Sequence, residues 1–562
     1  MKNHQYNHAR ILVLSSLLAA GLAAPASAQT ATDLLNDHRT PKDVLTYGMG
    51  YNAQRYSTLK QINRGNVKNL TAAWAYSMTD QTGLEAQPLV HDGIIYITNH
   101  NRTVAIDGVT GKEVWRHNFD YPPEVLRVVC CGIVNRGAAL FNGKLIRTTL
   151  DNRIIAFDAK SGKEAWNSKS DVDFNKGYSM TVAPLVANGV VIVGVAGAEF
   201  GIRGFLEGYD ADTGKFLWRR YTVPAKGEKG SETWSDDSNE TGGGSTWVTG
   251  SYDPELDLVI WGVGNPSPWN PRGRKGDNLY TNSIIAVKPK TGEVAWVTST
   301  HPNDPYDHDG VNAVVQADIK VKGETKKVVM QAHRNGFLYV LDRATGKPLA
   351  VNPFVEVNWA SGWDYEKGRP IWTDVTTKAL AGEKVKVFPA NYGGTNWFPM
   401  SYSPESNLLF INTSAMGMDY EAPAPEKVVA GQRAVNVNIT PIAPDMRGHL
   451  KAVDPMTGKA KWAVPFKHIN TAGTMNTAGG LVFTGQLSGE FMAIDATNGK
   501  ILWQFQTPSG IIGSPITWEK NGVQYVTMGS GIGGVYAMRL GGASLASVPT
   551  GSTLWTFKLH GK

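Results

Sequence analysis

The chain has 562 residues, 42% of them hydrophobic and 19% charged, with a formal net charge of +6 at pH 7. Basic and acidic residues are interspersed and no Lys/Arg run stands out, so the electrostatic footprint of a nucleic-acid binder is missing. Its two cysteines, Cys130 and Cys131, are adjacent in "RVVCCGIVNRG". That leaves no C-x-x-C-H haem motif and no paired soft-metal ligands.

The first element is a leader. "MKNHQYNHAR" is basic, "ILVLSSLLAAGLAA" is apolar, and Ala26, Ser27 and Ala28 make an A-x-A cleavage site. Residues 1–28 are therefore predicted to be a signal peptide, with the mature chain starting near Gln29. The apolar run is shorter than the ~18 to 20 residues of a bilayer span, and no later segment qualifies. An exported chain without a transmembrane segment, folded where disulfides persist, is the expectation.

Next comes a repeat: "AIDGVTGKEVW" ends at Trp115, "AFDAKSGKEAW" at Trp166, "GYDADTGKFLW" at Trp218 and "AVKPKTGEVAW" at Trp296. "VLDRATGKPLA" follows with Ala350 in the Trp slot, then "AVDPMTGKAKW" at Trp462 and "AIDATNGKILW" at Trp503. Trp74 in "LTAAWAYSM" ends a similar strand without the turn, which makes eight. Each phrase reads as strand, Asp-x-x-Thr-Gly-Lys turn, strand, and upstream hairpins such as "PLVANGVVIVGV" complete four strands per period. Spacing is mostly 41 to 54 residues, with longer intervals from Trp218 to Trp296 and from Ala350 to Trp462. The predicted fold is all-β: residues 29–562 as a single eight-bladed β-propeller, with the tryptophans docked between blades.

Chemistry is expected where the repeat is interrupted. "VGVAGAEFGIRG" sets Glu199 among Gly197, Ala198 and Gly201, where another group can approach the backbone closely. "GVGNPSPWN" offers Asn265 at a strand end, then Trp269. "HPNDPYDHDG" clusters Asp304, Asp307 and Asp309, either as a solvated turn or as a carboxylate site. A Glu, Asn and two Asp would suit a hard cation such as Ca²⁺ better than zinc or copper.

In combination, the repeats, the paired cysteines, "VAGAEF", "TGGGSTW", "GNPSPWN", "YDHDG", "AHRNGFLYVLDR" and "GGTNW" resemble the pyrroloquinoline quinone (PQQ) alcohol dehydrogenases of the methanol/ethanol dehydrogenase type. The similarity runs from about Leu45 to Arg539. The resemblance implies PQQ stacked between Trp247 and a Cys130–Cys131 disulfide. That disulfide closes no chain loop, so it adds little unfolded-state entropy. Glu85, Val134, Arg136, Thr181, Gly197, Ala198, Glu199, Ser245, Arg334, Asn396 and Trp397 match cofactor-holding positions. Glu199 and Asn265 match metal ligands, and Asp307 matches a catalytic base that works with Arg334 during hydride transfer from the alcohol to PQQ. Asp309 resembles the extra carboxylate of the lanthanide branch. Three carboxylates on one cation suit a lanthanide, with Ca²⁺ as the alternative. Electrons would pass to a separate periplasmic cytochrome c, and a homodimer is left open.

Substrate is where the chain departs from the family pattern. Ala196 precedes "GAE", Thr484 replaces a family Trp in "LVFTG", and Val535 ends "SGIGGV". A roomier pocket for larger primary or secondary alcohols is expected, with Trp269 as a hydrophobic lid beside Val535. The alternatives are the same chemistry on a polyol, sugar or bulky secondary alcohol, or a non-catalytic assembly propeller that has no use for Glu199, Asn265, Asp307 and Arg334 together.

Overall fold

Each Asp-x-x-Thr-Gly-Lys phrase folds as a tight turn between the outer two strands of an antiparallel sheet. In the first, Asp107 accepts hydrogen bonds from the backbone and hydroxyl of Thr110, both at 2.8 Å. Asp342 with Thr345 and Asp454 with Thr457 repeat the arrangement. The turn glycine is left-handed and lies against the indole ring of the preceding sheet: Gly111 on Trp74, Gly162 on Trp115, Gly214 on Trp166, Gly292 on Trp218, Gly346 on Trp296 and Gly499 on Trp462.

The indole N–H groups complete the docking. Trp115 donates to Ala159 O at 2.9 Å, Trp218 to Pro289 O at 2.9 Å and Trp296 to Arg343 O at 3.2 Å. Where Ala350 occupies the Trp slot, Asn352 takes over, donating to Met456 O at 2.8 Å. The expectation that the tryptophans are architectural is met, because six of the rings are the packing surface for a neighbour's turn.

These contacts come from a computed structural model that describes residues 1, 29–80, 82–321, 323–469, 471–534 and 545–561. The predicted signal peptide beyond Met1, and Val535, lie outside the described residues. Among the described residues eight sheets have four or more strands. In six of them four strands follow one another along the chain, beginning at Leu89, Ala138, Leu185, Ser251, Val315 and Met475, and in a seventh, beginning at Ser401, two strands of another sheet intervene. The eighth joins Ile516–Lys520, Val523–Ser530 and Thr553–Leu559 to the early strand Leu70–Ser77, so the two ends of the chain share a sheet. Trp503 of the preceding sheet donates to Leu70 O at 3.0 Å, which continues the docking into this shared sheet. The fold is an all-β propeller. Among the described residues no helix is long and apolar enough to cross a membrane.

The longest interval, between Ala350 and Trp462, holds a two-stranded sheet (Ala360–Asp364 with Arg369–Trp372), a helix (Asp374–Ala381) and a three-stranded sheet (Val385–Val387, Gly417–Glu421 and Asn438–Ile442). Part of it crosses other interruptions of the repeat. Gly431 N donates to Phe200 O at 3.0 Å, Ala434 N to Glu199 O at 2.6 Å, and Trp269 N to Ala434 O at 3.3 Å.

Candidate active site

A cavity gathers segments that are distant in sequence. Most of its polar side chains sit just before the first strand of a sheet: Glu85, Arg136, Thr181, Asp307 and Asp309, and Asn396. Glu199 and Arg334 come instead from turns between second and third strands. Cys130, Cys131, Val134, Gly197, Trp247, Trp269 and Trp397 complete the predicted residues on its wall, with Ala196 beside them. Cys130 and Cys131 are disulfide-bonded to each other.

At one part of the wall Arg136 lies over two aromatic rings, its guanidinium carbon 4.6 Å from the Trp247 centroid and 4.9 Å from that of Trp397. It pairs with Glu85 at 2.9 Å and donates to Thr181 Oγ1 at 2.7 Å. Its Nε is buried without a partner among the described residues. Burial raises the Glu85 carboxyl above its usual range, although Arg136 opposes the shift. Such a pair keeps a buried cation beside two indole faces.

Elsewhere on the wall Arg334 lies 3.5 Å from Asp307 Oδ2 and 3.5 Å from Asp309 Oδ2. It also donates to Asp307 O at 3.0 Å and to Asn396 Oδ1 at 3.2 Å. Burial is the main cause raising the carboxyls of Asp307, Asp309 and Glu199, and for Glu199 the second is Asp309; Glu199 is pushed up to about 7. One guanidinium thus does not offset the desolvation of this carboxylate group, which makes it a site that favours added positive charge. Asn265 Oδ1 and Asp307 Oδ1 are buried with no hydrogen-bond partner among the described residues, as oxygens waiting for a cation would be. The donor set therefore fits a hard metal ion.

Three of the expected residues stand behind the wall instead of on it. Asn265 is fully buried, and its N–H donates to Asp309 Oδ1 at 3.0 Å. Ser245 is also buried, and its carbonyl accepts from Gly264 N at 2.7 Å. Ala198 is buried in the short turn that carries Glu199. Gly264 is required here, because a Cβ on it would stand 2.3 Å from Asp309 Oδ1. The oxygens of Glu199, Asp307 and Asp309 do not all lie within 4.8 Å of one another; Glu199 groups at that distance with the two cysteine sulfurs. Thr484 is not a wall residue either. It sits in the core of its sheet, accepting from Asn412 Nδ2 at 2.9 Å and donating to Gly473 O at 3.2 Å.

Sequence reading missed Asn391, Tyr392 and Arg433, which also line the cavity. It missed as well that Trp247 Nε1 donates to Asp309 Oδ2 at 3.1 Å, tying the expected stacking ring to the expected metal ligand. No local spacing announces a contact across 62 residues.

With this geometry in hand, comparison with known proteins decides the family. Residues 45–362 and 432–526 match the family model "PQQ: Glucose/ethanol/alcohol dehydrogenase, beta-propeller domain". The chain belongs to the PQQ-dependent alcohol dehydrogenases. It is 39% identical to quinoprotein alcohol dehydrogenase PedH of Pseudomonas putida over 98% of this chain and 96% of that one. A solved quinohemoprotein alcohol dehydrogenase, ADHIIG of P. putida, superposes with a TM-score of 0.91 at 37% identity, covering 95% of this chain and 83% of that one. A europium-containing methanol dehydrogenase gives 0.87 at 34% identity, covering 94% and 100%.

Proposed function

We propose that this PQQ-dependent dehydrogenase works in the periplasm as one eight-bladed propeller, residues 29–562, that oxidises a primary or secondary alcohol with a lanthanide at its centre. The observation that carries the reading is the coexistence, on one cavity wall, of the disulfide, Trp247, the Arg136–Glu85 pair and the Arg334-bridged carboxylates.

When bound, PQQ supplies the two-electron acceptor and the metal ion a Lewis acid beside it. Trp247 and the Cys130–Cys131 disulfide would clamp the flat cofactor, with Arg136, Thr181, Asn396 and Trp397 fixing its edges. Glu199, Asn265, Asp307 and Asp309 offer only oxygen donors, and the third carboxylate favours a trivalent ion over Ca²⁺. Asp307 takes the alcohol proton, and Arg334 stabilises negative charge developing on oxygen. Trp269 borders the substrate. Electrons would go to a separate cytochrome c. A europium enzyme among the structural neighbours supports the lanthanide.

The test is reconstitution with PQQ and either La³⁺ or Ca²⁺, followed by dye reduction over an alcohol panel. La³⁺-supported turnover is expected, and it should vanish in Asp309→Ala. Asp309→Asn keeps an acceptor for Trp247 Nε1 but drops the charge, so it should fail with La³⁺ as well. Full La³⁺ activity in either variant overturns the metal assignment, and silence with every metal overturns the enzyme reading.

A further inference from the structure

Asp307 is a non-glycine residue in the left-handed region, with φ of +60°, a conformation that costs free energy unless the surroundings impose it. What imposes it is Asp304. Its Oδ1 accepts from Tyr306 N at 2.9 Å and its Oδ2 from His308 N at 2.7 Å, so one carboxylate holds the amides on both sides of Asp307. Asn282 Nδ2 donates to the same Oδ2 at 2.8 Å, while Asn282 Oδ1 accepts from Gly310 N at 2.8 Å. The backbone from Tyr306 to Gly310, which carries both Asp307 and Asp309, is thereby pinned at three amides.

Behind this stands Arg274, fully buried and with no carboxylate within 4.0 Å among the described residues. Its guanidinium is spent on neutral oxygens. It donates to Pro268 O at 2.6 Å, Trp269 O at 3.1 Å, Asn278 Oδ1 at 2.7 Å, Asn303 Oδ1 at 2.9 Å, and Asp304 O. One cation therefore ties the segment bearing Trp269 to the segment bearing Asp307. Burying a guanidinium is costly, and five acceptors arranged around it compensate.

Two histidines stand beside Asp304. His301 Nδ1 is 3.4 Å from Asp304 Oδ1, and the three side chains group within 4.8 Å. Asp304 already takes three donors on its two oxygens, and His308 Nε2 faces the carbonyls of Pro389 and Ala390 at 3.1 and 3.2 Å. Asp304 and His308 Nε2 are thus committed to holding backbone, which argues for a support, while the two ring nitrogens of His301 have no hydrogen-bond partner among the described residues.

We infer that Asp304 and Arg274 are positioning residues for alcohol oxidation: Asp304 fixes the proton-accepting carboxylate of Asp307, and Arg274 keeps the Trp269 wall in register with it. The inference rests on the role proposed above for Asp307. Misplacing a reacting group by about 1 Å costs about 10²-fold in rate, and that sets the expected size.

The experiment compares the wild type with Asp304→Ala, Asp304→Asn and Arg274→Lys. In each cofactor-free chain, amide hydrogen exchange is followed in the peptide spanning residues 303–312. In each reconstituted enzyme, turnover per bound PQQ and the isotope effect with α-deuterated 1-butanol are measured. For Asp304→Ala, faster exchange confined to that peptide is expected, with a fall of about 100-fold in turnover per bound PQQ and a larger isotope effect. Asp304→Asn, which keeps one acceptor, should fall between wild type and Ala. Arg274→Lys should raise KM for longer alcohols more than for ethanol. A merely structural role would lower the amount of loaded enzyme and leave the isotope effect and turnover per bound PQQ unchanged; that result overturns the inference, and if Asp304→Ala does not fold, Asp304→Asn decides. A wild type without PQQ-dependent oxidation would defeat the functional reading itself, a distinguishable failure.

Discussion

The ring of docked sheets and the cavity it encloses obey opposite rules. In the ring, polar groups are used up locally: the turn Asp binds its own turn and most repeat indole N–H groups reach the neighbouring sheet's backbone. In the cavity, Asn265 Oδ1, Asp307 Oδ1 and Arg136 Nε have no partner among the described residues, and carboxyls sit buried above their usual pKa. The ring's repeated turns and most of its docked indoles are satisfied within the fold. The cavity wall instead concentrates buried charge and unpartnered oxygens, a difference that separates scaffold from site more sharply than sequence position does.

The largest expected effect comes from breaking the site without touching the ring. Asp307→Asn should lower turnover by about 10²- to 10⁴-fold, the range for removing a general base. It should not lower the melting temperature, because it removes a buried carboxyl that burial already disfavours. Thermal melting beside dye-reduction kinetics checks both halves, and a large loss of stability would show that Asp307 belongs to the scaffold.

A smaller effect crosses the boundary. Arg136→Ala leaves Glu85 buried without its cation, and breaking a buried pair costs about 3 to 5 kcal/mol. Adding Glu85→Ala should restore much of that stability without restoring PQQ retention, measured by absorbance after gel filtration. On the ring side, Trp115→Ala removes a buried indole that packs on Gly162 and should cost a comparable 3 to 5 kcal/mol. There turnover per folded molecule should stay at the wild-type level. Equal losses of specific activity in the two variants would erase the distinction drawn here.

How legible each region was in the sequence follows the same division. The repeat is local, since a hairpin turn and a Trp eight residues after its Asp are visible in one phrase, so the sheets could be read directly. Arg136 and Asp307 could be found because the motifs that carry them resemble those of a known family, not because the repeat marks them. The rest could not. The Trp247–Asp309 bond, the reach of Ala434 to Glu199 and the placement of Arg433 depend on how insertions fold over one another. Thr484 shows the converse error: a motif position suggested a pocket wall, but the hydroxyl is engaged inside its sheet.

The gentlest test uses pH. Burial is the main cause lowering His301 to about 3 and His100 to about 4, so both are neutral when folded near neutral pH. Unfolded, each titrates near 6.5. Below 6.5 the unfolded chain therefore binds protons that the folded chain refuses, and stability is lost as pH falls. Each histidine contributes a slope of up to about 1.4 kcal/mol per pH unit below 6.5. His301 stacks on Trp359 with centroids 3.9 Å apart beside the Asp304 support, whereas His100 faces Thr82 Oγ1 at 3.0 Å near the ring's first sheet. His100→Asn should flatten the melting-temperature profile between pH 6.5 and 5 without changing turnover at pH 7. His301→Asn should flatten it equally and also lower turnover, because it disturbs the residue that holds Asp307; identical turnover in the two variants would place His301 with the scaffold.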